Sequence, residues 1–280
     1  MIDDDDRVIH LTRVRRSPDG SRGSTQTGFP FDVPAIASLP ELVLDRPVTI
    51  FVGENGSGKS TLLEALAIAA KATTAGSADA ADDETLAGVR ALAADLRLSW
   101  ASRKHRGFFL RAEDFFGFAK RISILRAEML QRLEDLEVEY ADRSAWAKGL
   151  AMGPARSSLA ELERRYGIDL DANSHGQSFL RLFQSRFVPG GLYLLDEPEA
   201  PLSPQSQLAL MTMMQDMIAQ DAQFIVATHS PILLAYPGAR IYSFDTAPPE
   251  EVAYDDLEHV RMTRDFLNAP ERYLRAMKQE

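Results

Sequence analysis

Three short runs, Val48 to Val52, Leu192 to Leu195 and Phe224 to Ala227, are apolar without the polar alternation of a half-exposed strand. They predict strands buried on both faces. Ile241 to Phe244 is a fourth strand of the same kind. Helical spacing lies between them. Leu62, Leu63, Leu66 and Ala67 follow the first run, a helix over Gln205 to Ile218 separates the second from the third, and Ile232 to Tyr236 follows the third. Strand-helix alternation predicts an α/β fold with a largely parallel central sheet flanked by helices. Upstream, Arg7 to Val14 is rich in β-branched residues and reads as a strand, and Phe29 to Pro34 reads as an edge strand because proline is barred from sheet centres.

The middle of the chain has another texture. From Lys71 to Leu86 large hydrophobic side chains nearly vanish, which predicts a mobile loop. Leu96 to Trp100 and Gly107 to Leu110 suit strands. From about Phe118 to Trp146, Ile122, Leu125, Met129, Leu133, Leu136 and Tyr140 recur at three or four and predict a long helix. Its length of about three or four heptads suits packing within a helical lobe better than a free coiled coil. Gly153-Pro154 reads as a break, with a shorter helix over Ser158 to Tyr166 closed by Gly167. A further helix carries Phe179, Leu182, Phe183 and Phe187, and Met211, Met214, Met217 and Ile218 read as core. The tail from Tyr254 is helical with a break at Asn268-Ala269-Pro270. The expected organisation is one domain over 1–280, with a core lobe from 1–71 and 188–280 and an inserted, mainly helical lobe over about 72–187.

Charge and composition narrow the function classes. The formal net charge of −10 disfavours nucleic-acid binding by general electrostatic attraction, although a local basic groove, and with it direct nucleic-acid binding, stays open. No cysteine is present, which rules out disulfides and thiolate metal sites and suits a reducing compartment. No apolar run approaches the roughly 20 residues of a bilayer span. The opening Met1-Ile2-Asp3-Asp4-Asp5-Asp6 is acidic where a signal peptide is basic. A soluble, cytoplasmic protein without membrane insertion is expected.

Chemistry concentrates at four places. Gly53-Glu54-Asn55-Gly56-Ser57-Gly58-Lys59-Ser60-Thr61 fits the phosphate-cradling P-loop and lies between a buried strand and a helix, where that motif works. Glycines at 53, 56 and 58 let successive N–H groups turn toward phosphate oxygens, and the helix adds its positive end. Lys59 would reach the β- and γ-phosphates of a nucleotide and Ser60 would ligate Mg²⁺. Asp196 and Glu197 end the strand Leu192 to Leu195 at the edge where ligands bind in open α/β sheets. Asp196 would hold Mg²⁺ opposite Ser60, and Glu197 would polarise the attacking water. His229 ends the next strand. A lone histidine is usually structural, but this position makes it a candidate sensor of the γ-phosphate. Finally, Asn173-Ser174-His175-Gly176-Gln177-Ser178 opens a helix. Ser174 and Gly176 there suit an anion site facing another subunit's phosphates, while in isolation a Ser-Gly start reads as a helix cap.

Together these four resemble the ATP-binding-cassette (ABC) type of P-loop ATPase. Gly53 to Ser60 matches its Walker A, Leu192 to Glu197 its Walker B with catalytic glutamate, His229 its switch histidine, and Ser174-His175-Gly176-Gln177 a shortened signature. About twenty residues separate signature from Walker B and about thirty more lead to the histidine, as in the family, and Glu199-Ala200-Pro201-Leu202-Ser203 stands at the D-loop position. The wording Gly-Glu-Asn-Gly-Ser-Gly-Lys-Ser, Asp-Glu-Pro-Glu and Ala-Thr-His-Ser-Pro is similar to that of the soluble RecF, SMC and predicted AAA-type groups. The chain departs from the family in two respects. No glutamine lies between the P-loop and the long helix; Glu113, in Arg111-Ala112-Glu113, stands at that place and is either a substitute metal ligand or a solvated acid. The adenine-stacking group is not marked, with Phe29, Phe31 and Arg16 as candidates.

The resemblance implies ATP and Mg²⁺ as ligands and an ATP-dependent homodimer. Lys59, Ser60 and Asp196 would hold MgATP, Glu197 would orient water, His229 would sense the γ-phosphate, and Ser174, Gly176 and Gln177 would act across the interface. It further implies a soluble mechanochemical or regulatory ATPase of DNA-repair or defence type, with an effector or nuclease chain as partner. Two other readings stand beside it: the cytoplasmic ATPase subunit of an ABC transporter, and a nucleotide-gated scaffold with little turnover.

Overall fold

The computed structural model describes residues 8–17, 28–74, 80, 83–102, 107–166 and 175–275. Strand β1 (Leu11–Arg16) precedes helix α1 (Pro34–Ala37), β2 (Leu42–Val43) and β3 (Val48–Val52), which feeds the glycine loop and α2 (Lys59–Ala69). Next come β4 (Thr73–Thr74), a 3₁₀ turn (Glu84–Val89), α3 (Arg90–Asp95), β5 (Leu96–Trp100) and β6 (Phe108–Arg111). The helical stretch is α4 (Ala112–Glu139), α5 (Ala145–Tyr166) and α6 (His175–Arg186). Then follow β7 (Leu192–Asp196), α7 (Pro204–Ile218), β8 (Gln223–Ala227), α8 (Pro231–Leu234), β9 (Arg240–Ser243), β10 (Glu250–Glu251), α9 (Glu258–Asn268) and α10 (Pro270–Leu274).

Seven strands form the central sheet in the order β10-β9-β3-β8-β7-β6-β4, and every neighbouring pair is parallel except β9 with β10. A separate antiparallel sheet has the order β2-β1-β5. Every residue of β3, β7 and β8 is buried. Side chains alternate across a strand, so each run supplies two cores. Phe51, Phe109, Leu194, Ile225 and Ala227 pack with Leu62, Leu63 and Leu66 of α2 and with Leu11, Val14 and Leu42 of the small sheet. Ile50, Val52, Leu110, Tyr193, Leu195, Phe224 and Val226 pack with Phe179, Leu182 and Phe183 of α6 and with Leu210 and Met214 of α7. This double burial is the physical reason for the missing alternation. The Met face of α7 is core, as expected, with Met214 and Met217 buried.

A buried amide ties the small sheet to the large one. Gln223, fully buried at the start of β8, accepts from the N–H groups of His10 (3.1 Å) and Leu11 (2.8 Å). Its NH₂ donates to the carbonyls of Leu11 (2.8 Å) and Leu44 (3.0 Å). Such a group is tolerated inside because all of its hydrogen-bonding capacity is used.

The structure differs from the sequence expectations in several elements. Strand β1 starts at Leu11, and residues 28–33 form turns leading into α1 instead of an edge strand, since Pro34 takes the first helical position, where its missing N–H costs nothing. The stretch expected to be a loop holds β4 and the 3₁₀ turn; residues 75–79 and 81–82 within it lie outside the described residues. Helix α4 begins six residues before the expected start, and its first turn carries Glu113 and Asp114, which favour a helix N-terminus. It ends at Glu139, and Trp146 belongs to α5, whose Ala147 N–H donates to Ser144 Oγ at 3.3 Å. Pro154 does not break α5. The carbonyl it leaves unpaired belongs to the exposed Leu150, where water can serve it. From the segment 72–187, β4 and β6 enter the central sheet and β5 enters the small one.

Candidate nucleotide site

Parallel strands end at one edge, and that edge collects the residues with chemistry. Gly53 follows β3, Asp196 ends β7, Thr228 and His229 follow β8, Asp245 lies just past β9, and Arg111 ends β6 in register with Asp196. The glycine loop leaves β3 with φ of +149° at Gly53, +82° at Gly56 and +106° at Gly58, a region that side chains disfavour. Space is tight as well: a Cβ at Gly53 would lie 2.9 Å from Ser57 Oγ, and one at Gly58 2.9 Å from Val33 Cγ1, so a neighbour would have to shift.

Lys59 opens α2 and is 3% exposed. Its Nζ donates to the carbonyls of Gly53 (2.7 Å) and Glu54 (2.9 Å), so the loop curls around the ammonium. Burial lowers the Lys59 pKa, opposed by Glu197, Asp196, Asp245 and Glu199. Ser60 Oγ donates to Asp196 Oδ1 at 2.9 Å, joining the helix after the loop to the strand 136 positions further along. Burial pushes the Asp196 carboxyl up to about 7, with the charges of Glu197 and Glu64 adding to it and the Ser60 hydrogen bond and Lys59 opposing. A hydroxyl and a desolvated carboxylate side by side are hard oxygen donors of the kind Mg²⁺ takes. Among the described residues no group of three His, Cys, Asp or Glu side chains could hold a metal.

Glu197 adopts a left-handed backbone (φ +47°), strained for a residue with a side chain. Its N–H donates to Ala227 O at 2.8 Å, which holds the turn against β8. The half-exposed carboxylate lies 3.6 Å from His229 Nε2. Burial lowers the His229 pKa, Lys59 lowers it further, and Glu197 and Asp245 oppose. The His229 N–H donates to Glu199 Oε1 at 2.7 Å, so the half-buried Glu199 shapes the histidine turn. Ser230 then caps α8.

Lys59, Ser60, Asp196, Glu197 and His229, predicted from separate motifs, thus come together. Glu54, Asn55 and Gly56 form the exposed loop tip, Ser57 Oγ is buried without a partner, and Thr61 follows within α2. Gly176 and Gln177 lie in the first turn of α6, and Ser174 lies outside the described residues. Glu113 stands in the first turn of α4, 73% exposed, with its carboxylate 3.4 Å from Arg111. The buried Arg111 also bonds Asp114 (3.0 and 2.9 Å), Thr85 (2.8 Å) and Glu64 (3.4 Å), joining α4 to α2. Of the adenine candidates, Arg16 lies 5.1 Å over the Phe31 ring and Phe29 is exposed.

Sequence reasoning missed Asp245. Its Oδ1 accepts the Glu54 N–H at 2.6 Å and stands close against Gly53. With Pro34, Ala35, Glu54 to Ser57 and Phe244 to Ala247 it lines a cleft of about 290 Å³ beside the loop. The available signal was its place one residue past an apolar run, the position Asp196 holds after Leu195, with His229 two residues past Ala227.

Residues 36–91 match the model of a family described as "AAA domain", and residues 178–235 match a second, described as "AAA domain, putative AbiEii toxin, Type IV TA system". The first segment holds the glycine loop and the second holds Asp196, Glu197 and His229. The two matches thus fall on the segments that build the candidate site, and with the geometry above they fit a P-loop nucleotide-binding fold. No curated protein matches it. Among solved structures it is similar to the Smc head domain of Pyrococcus furiosus, with an extended coiled coil and bound to the C-terminal domain of ScpA (11% identity, 92% of this chain and 99% of that one, TM-score 0.43). It is also similar to the SMC head domain of Thermotoga maritima (14%, 88% and 100%, TM-score 0.39). A third is an ATP-binding cassette of an ABC transporter in its ADP conformation (14%, 94% and 97%, TM-score 0.43). No helix among the described residues is long and apolar enough to cross a membrane.

Proposed function

We propose that the chain binds MgATP, closes with a second copy around it, and hydrolyses it as a cytoplasmic mechanochemical or regulatory ATPase of DNA-repair or defence type. The observation that carries this reading is the 2.9 Å contact of Ser60 Oγ with Asp196 Oδ1. It brings a P-loop hydroxyl and a strand-end carboxylate together where a nucleotide's metal ion would sit. The defence setting draws support from the toxin–antitoxin description of the family that residues 178–235 match.

In this reading the loop N–H groups and Lys59 hold the β- and γ-phosphates, and Ser60 and Asp196 hold Mg²⁺. The bound ion neutralises charge on the phosphate oxygens. Glu197, aimed by its left-handed turn, orients and deprotonates the attacking water, and a ring N–H of His229 donates to the terminal phosphate. Positioning and charge carry most of phosphoryl transfer, so these few groups suffice. Ser174, Gly176 and Gln177 of a second copy complete the site. The core lobe (1–71 and 188–280) carries the nucleotide, and the segment about 72–187 carries the half-site for the other copy. An effector or nuclease chain reads the closed state.

Glu197→Gln tests the proposal. The variant binds MgATP, loses about 10²- to 10⁴-fold in single-turnover rate, and accumulates as a dimer on a sizing column with ATP. Unchanged turnover would show that the water is activated elsewhere. Ser174→Arg keeps monomer binding and blocks the ATP-driven dimer; dimers that persist reduce residues 174–177 to a helix start.

A further inference from the structure

The peptide that joins Gly53 to Glu54 opens the glycine loop, and both of its polar groups are engaged. Its carbonyl accepts from Lys59 Nζ at 2.7 Å, and its N–H donates to Asp245 Oδ1 at 2.6 Å. The C=O and N–H of a trans peptide point in opposite directions, so a cation and an anion hold this one plane from its two edges. Gly53 has φ of +149°, and a peptide beside a glycine turns over more easily than one between residues with side chains. The plane most in need of fixing is the one held twice.

Asp245 is the fixed side of this pair. Val52 is in register with Ser243 in the parallel ladder of β3 and β9, and the Phe244 N–H donates to Val52 O at 2.7 Å. Asp245 follows directly, so it leaves β9 alongside the loop that leaves β3. The hydroxyl of the buried Ser243 accepts the Asp245 N–H at 3.3 Å and lies 3.5 Å from Oδ2, which sets the direction of the carboxylate. The approach is close: a Cβ at Gly53 would lie 3.0 Å from Asp245 Oδ1. Lys59 is the movable side. An ammonium has three N–H groups, and the carbonyls of Gly53 and Glu54 take two. Reaching both the β- and γ-phosphates, as in the ATP reading, draws at least one of these away from the loop. A carboxylate beside a phosphate cradle weakens anion binding by its charge, so what Asp245 offers the loop is its acceptor oxygen.

We propose that Asp245 is a positioning residue for the glycine loop: by accepting the Glu54 N–H it fixes the Gly53–Glu54 peptide, so that the loop is already shaped for phosphate when Lys59 turns to the ligand. The gain is preorganisation, since the ordering of the loop no longer has to come out of binding energy. The second half, the effect on ligand affinity, rests on the ATP reading. The first half, that Asp245 sets the Glu54 peptide, holds without nucleotide. Asp245 acts at the start of the loop and not at its Ser60 and Asp196 end, so its effect falls on binding and not on the chemical step.

The test uses the full chain with the variants Asp245→Ala and Asp245→Asn, the second of which keeps an acceptor oxygen and drops the charge. In the nucleotide-free ¹H–¹⁵N spectrum, Asp245→Ala shifts the Glu54 amide proton upfield and speeds its exchange at least about tenfold, while Asp245→Asn keeps it slow. Calorimetry with MgADP gives a Kd about five- to thirtyfold weaker for Asp245→Ala and within about threefold of wild type for Asp245→Asn. Single-turnover hydrolysis at saturating MgATP stays within about threefold for both. Tm moves by less than about 2 °C, because the Asp245 side chain is exposed. A Glu54 amide that does not move in Asp245→Ala overturns the proposal. Equal losses of affinity in the two variants overturn it too, by placing the effect in the charge, and a loss that tracks Tm does so by making Asp245 a folding residue. If the wild-type chain binds neither MgADP nor MgATP, the ATP reading falls together with the affinity half, and the Glu54 amide still decides whether Asp245 sets the peptide.

Discussion

The central sheet and the α4–α5 hairpin use apolar residues in opposite ways. Every position of β3, β7 and β8 is buried. Of the 28 residues of α4, the described side chains that are buried are those of Ala112 and Leu136, and in α5 they are Met152 and Leu162. The hairpin leaves Val138 77%, Trp146 78% and Leu150 66% exposed. It is held along its length by partly exposed ion pairs, Arg126 with Glu163 and Lys148 with Glu137, of a kind that contributes little. At its base it is held by Arg111. The lesson is that site and hairpin differ in local stability. The nucleotide edge stands on strands buried along their whole length, whereas the hairpin has few buried contacts to lose.

The largest break in this contrast comes from the sheet. Leu194→Ala, at a side chain with no exposure, costs about 3–5 kcal/mol in denaturant unfolding. A cost below about 1 kcal/mol would mean that the two cores close over the cavity. Next, Lys59→Ala lowers ATP affinity at least about a hundredfold, roughly 2.7 kcal/mol, by calorimetry. It also removes the slowing of amide exchange that ATP brings to β3 and β7 in the wild type; micromolar binding by the variant would remove the P-loop assignment. Arg111→Ala acts at the joint. It leaves Glu64 and Asp114 without their cation and costs about 2–3 kcal/mol, discounted for the partial exposure of these carboxylates. Amide exchange in the first turn of α4 accelerates while β8 stays protected. Val138→Ala has the smallest effect, within about 0.5 kcal/mol, because the side chain is mostly in water. A larger loss there would show that the hairpin tip is covered in solution.

Much of this was legible before any coordinates. Glycine spacing before a lysine, a doublet of acids after an apolar run and a histidine after the next run specify local chemistry that three-dimensional context has little freedom to rearrange. The parallel sheet explains why they converge, since parallel strands share one end. Asp245 was hidden because a single acid after a short strand has no motif around it; its meaning lies in a 2.6 Å contact with Glu54, 191 positions away. The turn before α1 was misread because proline marks both edge strands and helix starts, and only the following residues' hydrogen bonds decide which.

The amino-acid order alone determined which segments are double-faced strands, where a glycine loop turns into a helix, and which acid, hydroxyl and imidazole side chains stand at the strand ends. These depend on side-chain type and on spacing within a few residues, where steric and hydrogen-bonding rules act locally. Only the tertiary structure decided that β5 joins β1, that Gln223 ties the two sheets, that Arg111 ties α4 to α2, and that Asp245 stands against the glycine loop. Each of these pairs groups far apart in the chain, and such pairing is set by how the whole core packs, which no local pattern encodes.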